Sequence, residues 1–159
     1  MDRANRRRGN AGVATIVALT VALVVAGLVG GSAAAQPAKS ETSLALTAMP
    51  SLAYKGDVLQ AAATVVGGPN ATGEVTFKLY PPSDTLCAGR PAHVEKVAVV
   101  GGQAATTTGF VVPVKNRIGT WRWLAWYGGD ELHKSSKAGC GSAVVVVTKR
   151  GGEPVQVDV

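Results

Sequence analysis

The sequence predicts an all-β protein: one antiparallel sandwich of seven short strands, preceded by a hydrophobic N-terminal signal helix. Three observations carry that expectation. From Ser43 onward, β-prone runs alternate with Gly, Pro and Asn turn residues, and no helical period occurs. The segment Glu74-Val75-Thr76-Phe77-Lys78-Leu79-Tyr80 alternates apolar with polar residues, the period of a strand with one face buried. The chain opens on a basic stretch, an uncharged apolar run and a cluster of small residues, which is the order of an export signal.

The signal is built from Arg3, Arg6, Arg7 and Arg8, then a run from position 11 to 30 with no charge and no proline. Ala33-Ala34-Ala35 follows, and Ala33 and Ala35 fit the shallow pockets of a signal peptidase, leaving Gln36 as the new N-terminus. The apolar run is about twenty residues, long enough to cross a bilayer, so an uncleaved anchor is the alternative to cleavage. Either way the remainder faces outward, because the arginines precede the apolar segment. The expected location is therefore secreted, extracellular or in the cell envelope, with membrane contact only through an uncleaved signal.

Export changes how the charge is read. The whole chain carries +6, but residues 36–159 hold 12 basic and 9 acidic side chains, a net of +3. Within the sandwich the Lys and Arg are scattered singly, so no nucleic-acid surface is expected. The organisation is a signal or anchor over 1–35, a linker over 36–42, the sandwich over 43–149 and a tail over 150–159. Cys87 and Cys140 are the only cysteines. An even count in an exported chain reads as one disulfide, the alternative being two buried thiols. A bridge over so long a loop stabilises by roughly 4 kcal/mol.

The seven strands follow in order. Residues 44–46 form an edge strand that ends at Met49-Pro50. Val58–Val66 is closed by Gly67-Gly68-Pro69-Asn70, and Glu74–Tyr80 is stopped by Pro81-Pro82, since proline cannot donate to a ladder. A loop over 83–91 carries Cys87. The fourth strand spans 94–100, and the fifth spans 104–112 with a break at Gly109. The sixth, 120–127, puts Trp121, Trp123, Ala125 and Tyr127 on one face and Arg122 and Trp126 on the other. After Gly128-Gly129-Asp130 a polar stretch runs to Gly141, and 143–147 is the seventh strand, whose consecutive valines suit cover on both faces. Val155, Val157 and Val159 alternate in the tail, but over so few residues at a chain end that a loosely held segment is expected.

Four segments recur together in one arrangement: Gly73-Glu74-Val75-Thr76-Phe77-Lys78-Leu79-Tyr80, Cys87-Ala88-Gly89-Arg90-Pro91, the run from Gly119-Thr120-Trp121-Arg122-Trp123 to Tyr127-Gly128-Gly129-Asp130, and Cys140-Gly141. In register they resemble the bacterial immunoglobulin-like repeat of exported and surface proteins, especially of actinobacteria, over about residues 41–149. The resemblance implies an immunoglobulin-like topology and a non-catalytic role in adhesion, recognition or envelope structure. The family more often has Tyr at position 121; Trp121 cannot accept a hydrogen bond and needs a partner for its indole N–H.

Chemistry-bearing residues are few. His93 reads as an exposed strand histidine. His133 lies near Asp130 and Glu131 in a Gly-flanked loop, which is either a metal or acid–base site or a solvated loop. There is no nucleophile elbow, H-E-x-x-H or phosphate-cradling loop, and the cysteines are too far apart for C-x-x-C. Asn70-Ala71-Thr72 is a formal sequon. No catalytic residue, metal or cofactor is expected. Arg122 and Trp126 remain as a candidate binding patch, because Trp and Arg are favoured anchors, with a Trp packed under a neighbouring loop as the alternative. A small-ligand or glycan shelf needs Trp126 with Tyr54 or Tyr80. The expected partner is an extracellular protein or glycan.

Overall fold

A computed structural model describes residues 37–114 and 117–151. The signal with Ala33, Ala35 and Gln36, and the alternating valines of the tail, lie outside the described residues. Within them the protein is all β, with nine strands. These are β1 Ser43–Met49, β2 Leu52–Tyr54, β3 Val58–Val66, β4 Glu74–Tyr80, β5 His93–Ala98, β6 Gln103–Ala105, β7 Phe110–Val111, β8 Gly119–Tyr127 and β9 Ser136–Thr148.

Two sheets enclose one core. In the first, β3 lies between β1 on one side and β6 and β7 along the other. In the second the order is β2-β9-β8-β4-β5, antiparallel except where β2 runs parallel to β9. The alternation in β8 buries Trp121, Trp123, Ala125 and Tyr127 completely, and β4 adds Phe77, Val75 and Leu79. Phe77 meets Trp123 edge to face at 6.4 Å, and Phe110 tilts against Trp121 at 5.1 Å. Such pairs suit the ring quadrupoles. Trp121 finds the partner its indole needs, since Nε1 donates to the Arg117 carbonyl at 3.1 Å.

The strands differ from expectation in two places, and the expected break in the fifth strand is wider than Gly109 alone. β2 was not foreseen: after a cis Met49-Pro50 peptide the chain leaves β1 and adds a three-residue edge to the other sheet. The fifth strand is split into β6 and β7 because residues 106–109 leave the ladder. Thr106 covers the gap, its N–H donating to the Ala61 carbonyl and its Oγ1 accepting from the Ala61 N–H. Gly109 has φ +66, and a Cβ there would stand 2.7 Å from Val58 and 2.9 Å from the Leu59 carbonyl, so glycine is required. Finally, β9 begins at Ser136, well before the valines. Ala138 pairs with Ala125 and Ala143 with Trp123, so residues 139–142 stand opposite Leu124 alone as a wide bulge.

That bulge explains where the cysteines meet. Cys140 lies within β9, not in the loop before it, and its excursion from the sheet reaches the β4–β5 loop. The Cys87–Cys140 disulfide forms with Cα atoms 5.7 Å apart. The presumed linker is also tied down at its end: Ser40 N–H donates to the Leu132 carbonyl, the Lys134 N–H donates to the Ser40 carbonyl, and Thr42 Oγ1 donates to the Lys134 carbonyl.

Candidate binding surface

Two carboxylates have the hydrogen bonding of functional groups, and both are spent on the fold. Asp130 accepts from the Thr72 N–H at 2.8 Å, from the Leu132 and His133 N–H groups, and lies 2.9 Å from His133 Nδ1. The Thr72 N–H above all, with His133 and the other loop amides, holds its carboxyl far below the usual carboxylate range, although burial opposes this. His133 is buried at 7% exposure, so the Asp130–His133 pair closes the loop after β8 onto the β3–β4 turn. Glu131 is exposed and does not join them. Among the described residues no three metal-ligating side chains converge. The Tyr127 hydroxyl is buried near Asp130, and burial first, then that carboxylate, pushes its pKa up to about 12.

Glu95 is the second. From β5 it accepts from the N–H groups of Thr107 at 2.6 Å, Thr108 at 3.2 Å and Gly109 at 3.2 Å, and from Thr107 Oγ1 at 2.9 Å. Three successive amides aimed at one carboxylate make an anion nest, and here it joins an edge of one sheet to an edge of the other. Burial raises the Glu95 pKa, but these bonds and His93 outweigh it and bring it down to about 2. His93 is correspondingly not an exposed strand residue. It is half-buried, 3.2 Å from Glu95, with its ring near Phe110 and Trp123.

The surface left for a ligand is the outer face of the five-stranded sheet. The register there aligns side chains in rows across the strands. Lys96 on β5, Thr76 on β4, Trp126 on β8 and Lys137 on β9 form one row. Val94, Lys78 and Leu124 form the next, and Tyr80 with Arg122 and Val144 a third. The first two rows, with Tyr80 and Cys87, line an open groove of about 570 Å³. Its floor is closed, since Thr76, Tyr80 and Leu124 are buried, while Trp126 is 50% exposed. Trp126 is thus not covered by a neighbouring loop.

The expected patch is therefore re-centred. Arg122 shares the face with Trp126 but lies two rows away, its Nη1 donating back to the Thr120 carbonyl at 2.8 Å. Tyr80 joins the groove, whereas Tyr54 stacks under Arg150 with the guanidinium 5.4 Å from its ring centre. The residues that sequence reasoning passed over are the lysines. Lys78, Lys96 and Lys137 are scattered along the chain, yet the register gathers them around one indole. No Asp or Glu lines the groove, and none of the three lysines is salt-bridged among the described residues. Glu74 on β4 stands a row beyond Thr76 and opposite Ala98, and Asp84 in the β4–β5 loop is tied to the Ala88 and Gly89 amides.

No protein-family model matches the chain, and no curated protein matches it. Among solved structures it is similar to a Paenibacillus sp. cycloisomaltooligosaccharide glucanotransferase complexed with cycloisomaltoheptaose, at 17% identity and a TM-score of 0.41. That match covers 70% of this chain and 15% of the glucanotransferase. It is also similar to BslA, a bacterial hydrophobin, at 14% identity and a TM-score of 0.37, over 69% of this chain and 96% of that one. Neither likeness carries an argument about function.

Proposed function

We propose that this protein is a non-catalytic, exported immunoglobulin-like module that recognises a partner outside the cytoplasm through the outer face of its five-stranded sheet. The observation that carries the reading is Trp126, half-exposed over a closed floor and flanked by lysines that have no salt bridge among the described residues. A large aromatic left open in such a setting is the kind of anchor that binding surfaces use. The strand order supports the immunoglobulin-like assignment: β4, β8 and β9 correspond to the C, F and G strands, with β5 added beside them as in variable-type domains. The bridge departs from antibody domains, since it joins the β4–β5 loop to β9 and does not cross the core. The disulfide is consistent with an oxidising compartment, and the N-terminal arginines, apolar run and Ala33-Ala34-Ala35 support export with cleavage before Gln36.

The test is retention on isolated cell envelopes. Wild-type protein is expected to bind saturably and Trp126→Ala to lose about tenfold in affinity. Equal retention of the two removes this face from the function. Mass spectrometry of exported material is expected to find Gln36 at the N-terminus, and an intact Met1 would mean an anchored form.

A further inference from the structure

We propose that the groove takes an acidic polysaccharide, with a sugar ring stacked on Trp126 and carboxylates of the chain meeting Lys78, Lys96 and Lys137. This rests on the reading of the outer face as the binding surface and names the ligand class for it. Shape comes first. The groove crosses four strands, from β5 to β9, and is open, so it suits a polymer laid across the sheet better than an enclosed small molecule.

Charge and spacing come next. Neighbouring strands lie about 4.8 Å apart, so Lys137 stands about 5 Å and Lys96 about 10 Å from Trp126 along the same row, measured at the backbone. Lys78 is the diagonal neighbour of Trp126, at about 7–8 Å. The cations thus flank the indole, Lys137 on the β9 side and Lys78 and Lys96 on the β4–β5 side, and do not converge on a point. That arrangement fits an anion repeated along a chain, one per ring, better than a single phosphate. All three are lysines, whose compact ammonium groups act as point charges and do not impose the fixed fork of arginine, so a chain can shift register and still be held. With no carboxylate in the lining, the groove presents one sign of charge to an approaching polyanion.

Single-stranded nucleic acid is also stacked and anionic, and the groove fits it less well. Such sites use successive aromatics on which consecutive bases stack. Here Trp126 is open, while Tyr80 is only 5% exposed. The disulfide, too, belongs in a compartment where nucleic acid is not the resident polymer.

Calorimetric titration of the oxidised protein with polygalacturonate, with the same polymer after reduction of its carboxyl groups, and with an oligo-dT strand tests the assignment. Polygalacturonate is expected to bind, and Trp126→Ala and the triple variant Lys78→Gln, Lys96→Gln, Lys137→Gln each to weaken it about tenfold or more. Raising the salt is expected to weaken wild type more than the triple variant, because screening acts on the charges the variant lacks. Unchanged melting temperatures of the variants keep the comparison clean. Equal binding of the carboxyl-reduced polymer, tighter binding of oligo-dT, indifference to Trp126→Ala, or no polysaccharide binding at all would each overturn the proposal. If polygalacturonate fails while Trp126→Ala still weakens envelope retention, the ligand class is wrong and the binding surface stands. If envelope retention also survives Trp126→Ala, both fall.

Discussion

The two sheets of this sandwich differ both in what they pack into the core and in what they present to solvent. The inner face of the four-stranded sheet mixes Ala61, Ala63 and Ala104 with Leu44, Leu59, Val65 and the half-buried Phe110, whereas the five-stranded sheet brings most of the rings, Trp121, Trp123, Tyr127 and Phe77. Sheets packed about 10 Å apart leave room for large rings from one side only where the other side is small. The outer faces differ as much. One presents Ser43, Ala45, Thr47, Thr64 and Gln103 with the exposed Met49, Val58 and Val66, and the other presents Trp126 among lysines. The strand that supplies the core rings therefore also carries the exposed one. Trp126 is held in place by the neighbours it cannot move without breaking, Ala125 and Tyr127, both fully buried.

The sharpest way to break this comparison is to exchange volumes across the core. Trp121→Ala is expected to cost up to about 5 kcal/mol in denaturant unfolding, while Ala61→Leu on the facing sheet overpacks and costs about 1–3 kcal/mol. A neutral Ala61→Leu would show slack in the core and dissolve the asymmetry. Next is the bridge, which belongs wholly to the five-stranded side. Cys87→Ser with Cys140→Ser is expected to lower stability by about 4 kcal/mol on the chain-entropy argument for a 53-residue separation. Free-thiol titration of the unfolded, unreduced protein is expected to find none.

The coupling between the sheets is tested at Glu95. Its folded pKa of about 2 lies below the ordinary 4.5, so its contribution is fully present above about pH 4.5 and is lost as pH falls toward 2. Glu95→Gln is expected to reduce stability at pH 7 by about 2 kcal/mol, after allowance for solvent screening, and to flatten the acid limb of the melting curve. An unchanged acid limb would mean the nest does not join the sheets. Smallest of all are the outer faces: Thr64→Lys and Trp126→Ala are each expected to shift stability by less than about 0.5 kcal/mol, and only the second to weaken envelope binding.

What the sequence disclosed follows the range over which each feature is encoded. β8 and β4 were legible because their alternation is local, and the four fully buried rings of those strands, Phe77, Trp121, Trp123 and Tyr127, fall where the period puts them. β2 was hidden because Leu52-Ala53-Tyr54 is too short to show a period and follows a proline. The first half of β9 was hidden because Lys137, Gly139, Cys140, Gly141 and Ser142 lack the β-branched signature of a strand. Glu95 drew no attention because its partners lie 12 to 14 residues away and use their backbone amides, which no side-chain pattern reports. The lysine cluster was illegible for a stronger reason. Lys78, Lys96 and Lys137 meet only through the registers of three strand pairings, so their gathering is a property of the fold and not of any segment.

The disulfide has a mechanical consequence. If the folded domain is drawn out by its ends, load passes from residue 87 to residue 140 through sulfur, and the chain between them cannot lengthen. At about 3.4 Å per residue, the oxidised domain extends by roughly 180 Å less than the reduced one when it is pulled open. Trp126, Lys96 and Lys137 all lie inside that sheltered ring, while Lys78 lies outside it. A molecule under tension from what it holds would keep most of its grip on one inextensible length of chain.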